Sequence, residues 1–103
     1  MDSQGRFEER MRELRGGFVA GLPARLATMR AALRADDRAT LQHEAHRLAG
    51  TGVSYGLPQL TSWGREVEKK VKGGAPLAAF EPDLEQLSAL IASVDADLGE
   101  WLR

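Results

Sequence analysis

Two histidines and a cluster of glycines carry the chemistry this sequence offers. His46 stands four residues before Gly50 and ten before Gly56, within Ala45-His46-Arg47-Leu48-Ala49-Gly50-Thr51-Gly52-Val53-Ser54-Tyr55-Gly56-Leu57. On an α-helix, residues i and i+4 share a face and side chains lean toward the N-terminus. Any side chain at position 50 would therefore lean over the imidazole. Gly50 leaves bare backbone where a histidine can be approached closely. A glycine inside a helix costs ~1 kcal/mol against alanine, so the gap needs a reason. A nucleophilic imidazole must be neutral, and an ordinary histidine pKa near ~6.5 leaves most rings neutral at pH 7. One nitrogen must be free to attack while the other holds the proton, an arrangement that an accepting carboxylate or amide fixes.

Other chemistries fit the same residues less well. His43 has Arg47 at i+4 and Val53 at i+10, so it lacks both glycines and reads as a surface neighbour of His46. His43-Glu44-Ala45-His46 is not the zinc-protease motif, because its histidines are three apart. A metal site on His43, His46 and a carboxylate is the weaker reading, and no metal is expected. Gly50-x-Gly52-x-x-x-Gly56 is not a phosphate loop, since no strand precedes it and the spacing differs.

The elements that must position His46 follow from the apolar pattern. Phe7, Met11, Leu14 and Phe18 recur at intervals of four, three and four, predicting a helix over about 7–20, with Glu8 and Glu9 suited to its positive end. Gly16 and Gly17 interrupt it and allow a kink or a break. Pro23 falls at a first helical position, and Leu22, Leu26, Met29 and Leu33 predict a second helix to about residue 35. Both stripes read as core. Asp36 and Asp37 read as a turn and an N-cap, opening a third helix at Arg38 with Leu41, Ala45, Leu48 and Gly52 or Tyr55 inward. His46 lies about 100° round from Ala45, at the edge of that buried face. Gln42, His43, Ala49, Gly50 and Val53 surround it.

Gly56 and Pro58 end the third helix and start a fourth, so Gly56 reads as a helix terminator rather than a phosphate contact. Leu60, Trp63, Val67 and Val71 face inward there, and Gly73-Gly74 stops it. Its outward residues are Thr61, Gly64, Arg65, Glu68 and Lys72. The short connection makes the third and fourth helices antiparallel neighbours and turns that outer face toward His46. Glu68 and Lys72 form an i,i+4 acid-to-base pair. A last helix covers about 82–98, with Phe80, Leu84, Leu87, Ile91, Val94, Leu98 and Trp101 as a bundle seam. No segment alternates with period two, so no strand is expected. The expected fold is all-α, an up-and-down antiparallel helical bundle with a four-helix core and an additional N-terminal helix. One domain is expected over 1–103, its core at about 18–98.

The pattern His46-x-x-x-Gly50-x-x-x-x-x-Gly56, with helix and apolar spacing from about Phe18 to Leu98, resembles the phosphorylated-histidine motif of histidine-containing phosphotransfer (HPt) domains. The resemblance implies that His46 takes a phosphoryl group from, or passes it to, the aspartate of a receiver domain in a multistep two-component relay. It implies that Glu68 contacts the ring and that Lys72 occupies a position able to carry a basic residue. Gln42, His43, Ala49, Val53, Gly64, Arg65 and Lys69 would form the docking surface, small-residued and suited to reversible contact rather than a deep pocket. HPt domains usually place a lysine three residues after the histidine, where this chain has Ala49. Arg47 points about 200° away from Ala49, so Lys72, Lys69 or Arg65 of the neighbouring helix is expected to supply that charge. Such a chain is a phosphocarrier rather than an enzyme and has no cofactor of its own. Its partners would be receiver domains of response regulators or hybrid histidine kinases, with Mg²⁺ supplied by the receiver. The alternative is a non-phosphorylated helical adaptor that binds a receiver or a histidine kinase. Ala49 favours the adaptor; the pairing of His46 with Gly50 argues against it.

Composition narrows the rest. One hundred and three residues suffice for a single core without staples. Fourteen basic against fifteen acidic residues weaken any nucleic-acid reading, and so do the few aromatics. The chain has no cysteine, which excludes disulfides and thiolate metal sites. Residues 1–15 are strongly charged without an apolar h-region, and no apolar run approaches the ~20 residues of a membrane span. A cytoplasmic monomer is expected.

Overall fold

Both N-terminal apolar stripes lie on one uninterrupted helix, α1 (Ser3–Arg34), which contains Pro23. The computed structural model describes residues 3–101, with side chains from 5 to 97. The expected break near Gly16, Gly17 and Pro23 is absent, and the additional N-terminal helix is the first part of α1. Proline inside a helix removes one hydrogen bond and sets its ring against an earlier carbonyl, at ~3 kcal/mol or more. The helix continues because Val19, Leu22 and Met29, on both sides of Pro23, are buried in the core. Leu26 and Leu33 pack against the same core.

The beginning of α1 departs from the expected core. Phe7 is 65% and Leu14 39% exposed, and Met11 is half-buried. Arg15 Nε donates to the Tyr55 carbonyl at 2.9 Å, which places the turn after the next helix beside residue 15. The helix before that level runs past the hairpin, in keeping with a molecule of 54 × 21 × 18 Å. Phe18 is the first residue of the stripe to be held, stacked on Tyr55 at 4.4 Å between ring centroids.

Asp37 caps α2 (Arg38–Thr51) as the sequence predicts, accepting from the Thr40 amide at 3.1 Å and the Thr40 hydroxyl at 2.6 Å. The Thr40 hydroxyl, then its amide, hold the Asp37 carboxyl below its usual value. A short 3-10 helix (Val53–Tyr55) follows, and Gly56 at φ 73° reverses the chain. Pro58 opens α3 (Pro58–Lys72), which stops at Gly73 and Gly74, the latter at φ 83°. Arg38 donates to the carbonyls of Val71 at 3.2 Å and Ala75 at 2.6 Å, tying the start of α2 to the end of α3. A second 3-10 helix (Leu77–Phe80) leads into α4 (Glu81–Trp101). Phe80, Leu84, Leu87, Ile91 and Val94 are buried on the expected seam. Leu98 and Trp101, expected on that seam, lie outside the described side chains.

The four helices form an all-α bundle in which α1 packs on α2 and α4, and α3 packs on α2 and α4. Lys70 Nζ pairs with Asp83 at 2.6 Å and the Trp63 indole donates to the Asp83 carbonyl at 2.9 Å, joining α3 to the first turn of α4. No strand occurs among the described residues. Among them, no helix is long and apolar enough to cross a membrane.

Candidate functional site

Two glycines set how closely α2 and α3 lie. A Cβ at Gly64 would stand 2.6 Å from the Ala45 carbonyl oxygen and 2.7 Å from the Ala49 nitrogen. One at Gly52 would stand 2.6 Å from the Thr61 hydroxyl and 2.7 Å from its nitrogen. Thr61 is buried and accepts from the Val53 amide at 2.8 Å, which fixes the 3-10 turn. Thr61 and Gly64, read as outward-facing, are therefore interior residues. Gly64 cannot belong to a docking surface, because α2 already covers it.

This close crossing brings the Glu68 carboxylate onto His46. His46 Nδ1 and Glu68 Oε2 are 2.8 Å apart, and Lys72 Nζ lies 3.3 Å from the same oxygen. The Glu68 side chain is 15% exposed and that of His46 71%. Burial opposes ionisation of Glu68, but the hydrogen bonds and positive charge of His46 and Lys72 outweigh it and hold the carboxyl below its usual value. An ionised carboxylate can only accept, so Nδ1 carries the proton and donates it to Glu68. When the ring is neutral, that bond leaves the lone pair on Nε2, on a side chain that is 71% exposed. That is the tautomer a nucleophilic imidazole requires.

Ala39, Gln42, His43, His46, Glu68 and Lys72 line one open hollow of ≈ 470 Å³. It lies toward the start of α2, the direction in which helical side chains lean. Gly50 is on the other side of His46 and does not line it. A Cβ at Gly50 would meet nothing within 4 Å, so nothing inside the described chain demands a glycine there. Ala49 is half-buried, while Val53 (59% exposed), Arg65 and Lys69 are exposed, and none of the four lines the hollow. Of the three cations proposed to compensate for Ala49, only Lys72 lines the hollow, and its charge is paired with Glu68. Among the described residues, no three His, Cys, Asp or Glu side chains gather to hold a metal ion.

Thr61, Gly52 and Gly64 were not legible as hairpin determinants. Their signal is the run of small residues at 45, 49 and 52 facing 61 and 64, which becomes readable once the register between the helices is known. Gly56 acts as a terminator, its left-handed φ closing the turn over the Arg15 guanidinium.

The family model described as "Hpt domain" matches residues 13–97. No curated protein matches the chain. Among solved structures, the HPT domain from an Hpt sensor hybrid histidine kinase from Shewanella is similar in fold, with a TM-score of 0.75 at 22% sequence identity, covering 96% of this chain and 82% of that one.

Proposed function

Because this chain belongs to the Hpt domain family, we propose that it is a cytoplasmic phosphocarrier whose His46 exchanges a phosphoryl group with the aspartate of receiver domains. One observation carries the assignment to His46: the 2.8 Å hydrogen bond from its Nδ1 to an ionised Glu68, with Nε2 free on an exposed ring. In the forward step Nε2 attacks the phosphorus of an aspartyl phosphate in line. The P–Nε2 bond forms as the P–O bond breaks, and the aspartate leaves as a carboxylate. The Nδ1 proton stays in its hydrogen bond, and Glu68 offsets the positive charge the ring acquires. The return step is the reverse.

Phosphoryl transfer of this kind rests on positioning and charge rather than on covalent assistance. The receiver brings Mg²⁺ and the phosphorylated carboxylate; this chain brings the nucleophile, its tautomer and the surface around it. Residues 1–103 would act as one domain and as a monomer.

The test is phosphate transfer from a panel of labelled, phosphorylated receiver domains, with His46→Gln and His43→Gln beside the native chain. We expect an acid-labile, base-stable label that only His46→Gln loses. Binding without label from any receiver would replace this reading with the adaptor.

A further inference from the structure

We infer that His43 is a positioning residue of the same site, supplying in its protonated form the positive charge that meets the phosphoryl group on His46. The inference rests on the phosphocarrier reading above. His43 is three residues before His46 on α2, where Cβ atoms are ~5–6 Å apart, and both rings line the same hollow.

The charges facing that hollow make the case. From α3 come Glu68 and Lys72, 3.3 Å apart, so that they neutralise one another. From α2 come the two histidines; Arg47, four residues after His43, is turned to Glu44 at 3.8 Å. Helix α1, which also packs on α2, contributes no side chain to the hollow. His46 must be neutral at Nε2 to attack. A phosphoryl group on Nε2 thus brings close to two negative charges to a residue of a hollow whose Glu68 and Lys72 charges already cancel. Among the described lining residues, His43 is the group besides paired Lys72 and the nucleophile His46 that can carry a positive charge, because histidine ordinarily changes charge between pH 5 and 8. Its position also matches the lean of His46 toward the start of α2, away from Gly50.

Phosphoramidate isolates this effect from any receiver. Nε2 attacks its phosphorus, the donor P–N bond breaks, and ammonia leaves. Rates of His46 phosphorylation would be followed from pH 6 to 8.5 by ³¹P NMR for the native chain, His43→Gln, His43→Lys and His46→Gln. Thermal melts would verify that each variant folds. Dividing native by His43→Gln rates cancels the donor's own pH dependence. We expect a ratio of about 3–10 at pH 6, falling to about 1 at pH 8.5, as for one unit charge near ~5 Å in an aqueous surrounding. His43→Lys should keep the advantage across the whole range. A ratio near 1 throughout overturns the inference while leaving the phosphocarrier reading intact. So does a pH-independent ratio that lysine fails to reproduce, which would make His43 a steric neighbour. Phosphate appearing on His46→Gln, or none on the native chain, overturns both readings.

Discussion

Glu68 fixes one tautomer of the neutral His46 ring because its carboxylate is ionised, and His46 and Lys72, which both reach the same oxygen, hold its pKa below the ordinary value. Removing the acceptor frees the ring to rotate and to exchange tautomers. Glu68→Ala should slow phosphoryl acceptance about 10-fold or more, the usual cost of losing a group that orients a reactive imidazole. Glu68→Gln keeps an acceptor oxygen but loses the charge that offsets the ring's, so its rate should fall between those of the native chain and Glu68→Ala. Stability adds an independent check. The Glu68 carboxyl is held below its ordinary value of 4.5, so folding favours the ionised form. That contribution is complete above the unfolded value and is lost as pH falls through the folded one. The native chain should therefore melt above Glu68→Gln at pH 6, and the gap should close as pH drops below about 4.5. A gap that persisted at pH 3 would mean that Glu68 stabilises by packing rather than by charge. The sequence made His46 legible through its glycines, and Glu68 through a family resemblance. The i,i+4 spacing also announced the Glu68–Lys72 pair, but not that His46 and Lys72 meet on the same Glu68 oxygen, which depends on how the two helices cross.

Helices α2 and α3 form the element that makes the site, and their three glycines divide the labour. Gly52 and Gly64 are needed inside the chain, because a methyl group at either would strike backbone across the crossing. Gly50 has open space, so its helix cost of ~1 kcal/mol is offset by nothing within the described structure. Gly64→Ala should destabilise by about 1–3 kcal/mol, the usual range for overpacking, and weaken the His46–Glu68 contact by spreading the helices. Gly50→Ala should instead raise the melting temperature, and on the proposed function it should slow transfer from a receiver that approaches this bare patch. Melting curves and transfer rates measured on both variants would separate these effects. If Gly50→Ala transferred at the native rate, the bare patch would have no role in docking. The apolar stripes placed this hairpin in the sequence, but they misassigned Gly64 and Thr61 to the outer face. A residue on a helix flank is interior or exterior according to how near the next backbone comes, and small residues permit the nearest approach.

The whole molecule is a four-helix bundle with one long helix extending beyond it. Phe7 on that extension is 65% exposed, whereas Leu22 on the same helix is fully buried. Leu22→Ala should cost about 2–5 kcal/mol in denaturant unfolding, and Phe7→Ser less than about 0.5 kcal/mol. A large loss in Phe7→Ser would show that the extension is covered in solution. By itself the sequence determined the helical class, the cap at Asp37, the reversal at Gly56-Leu57-Pro58 and the large apolar residues that α2, α3 and α4 bury as far as Val94. Each is a local property: a 3.6-residue period, a capping side chain, or a backbone angle that glycine adopts readily. Only the tertiary structure decided that α1 runs unbroken through Pro23, because burial on both sides outweighs a local penalty. It also decided that the early stripe of α1 has no core to enter, since the hairpin turn ends beside Arg15. The hollow shared by His43, His46, Glu68 and Lys72 belongs to the same class of fact, for it exists only where two helices far apart in sequence meet in one register.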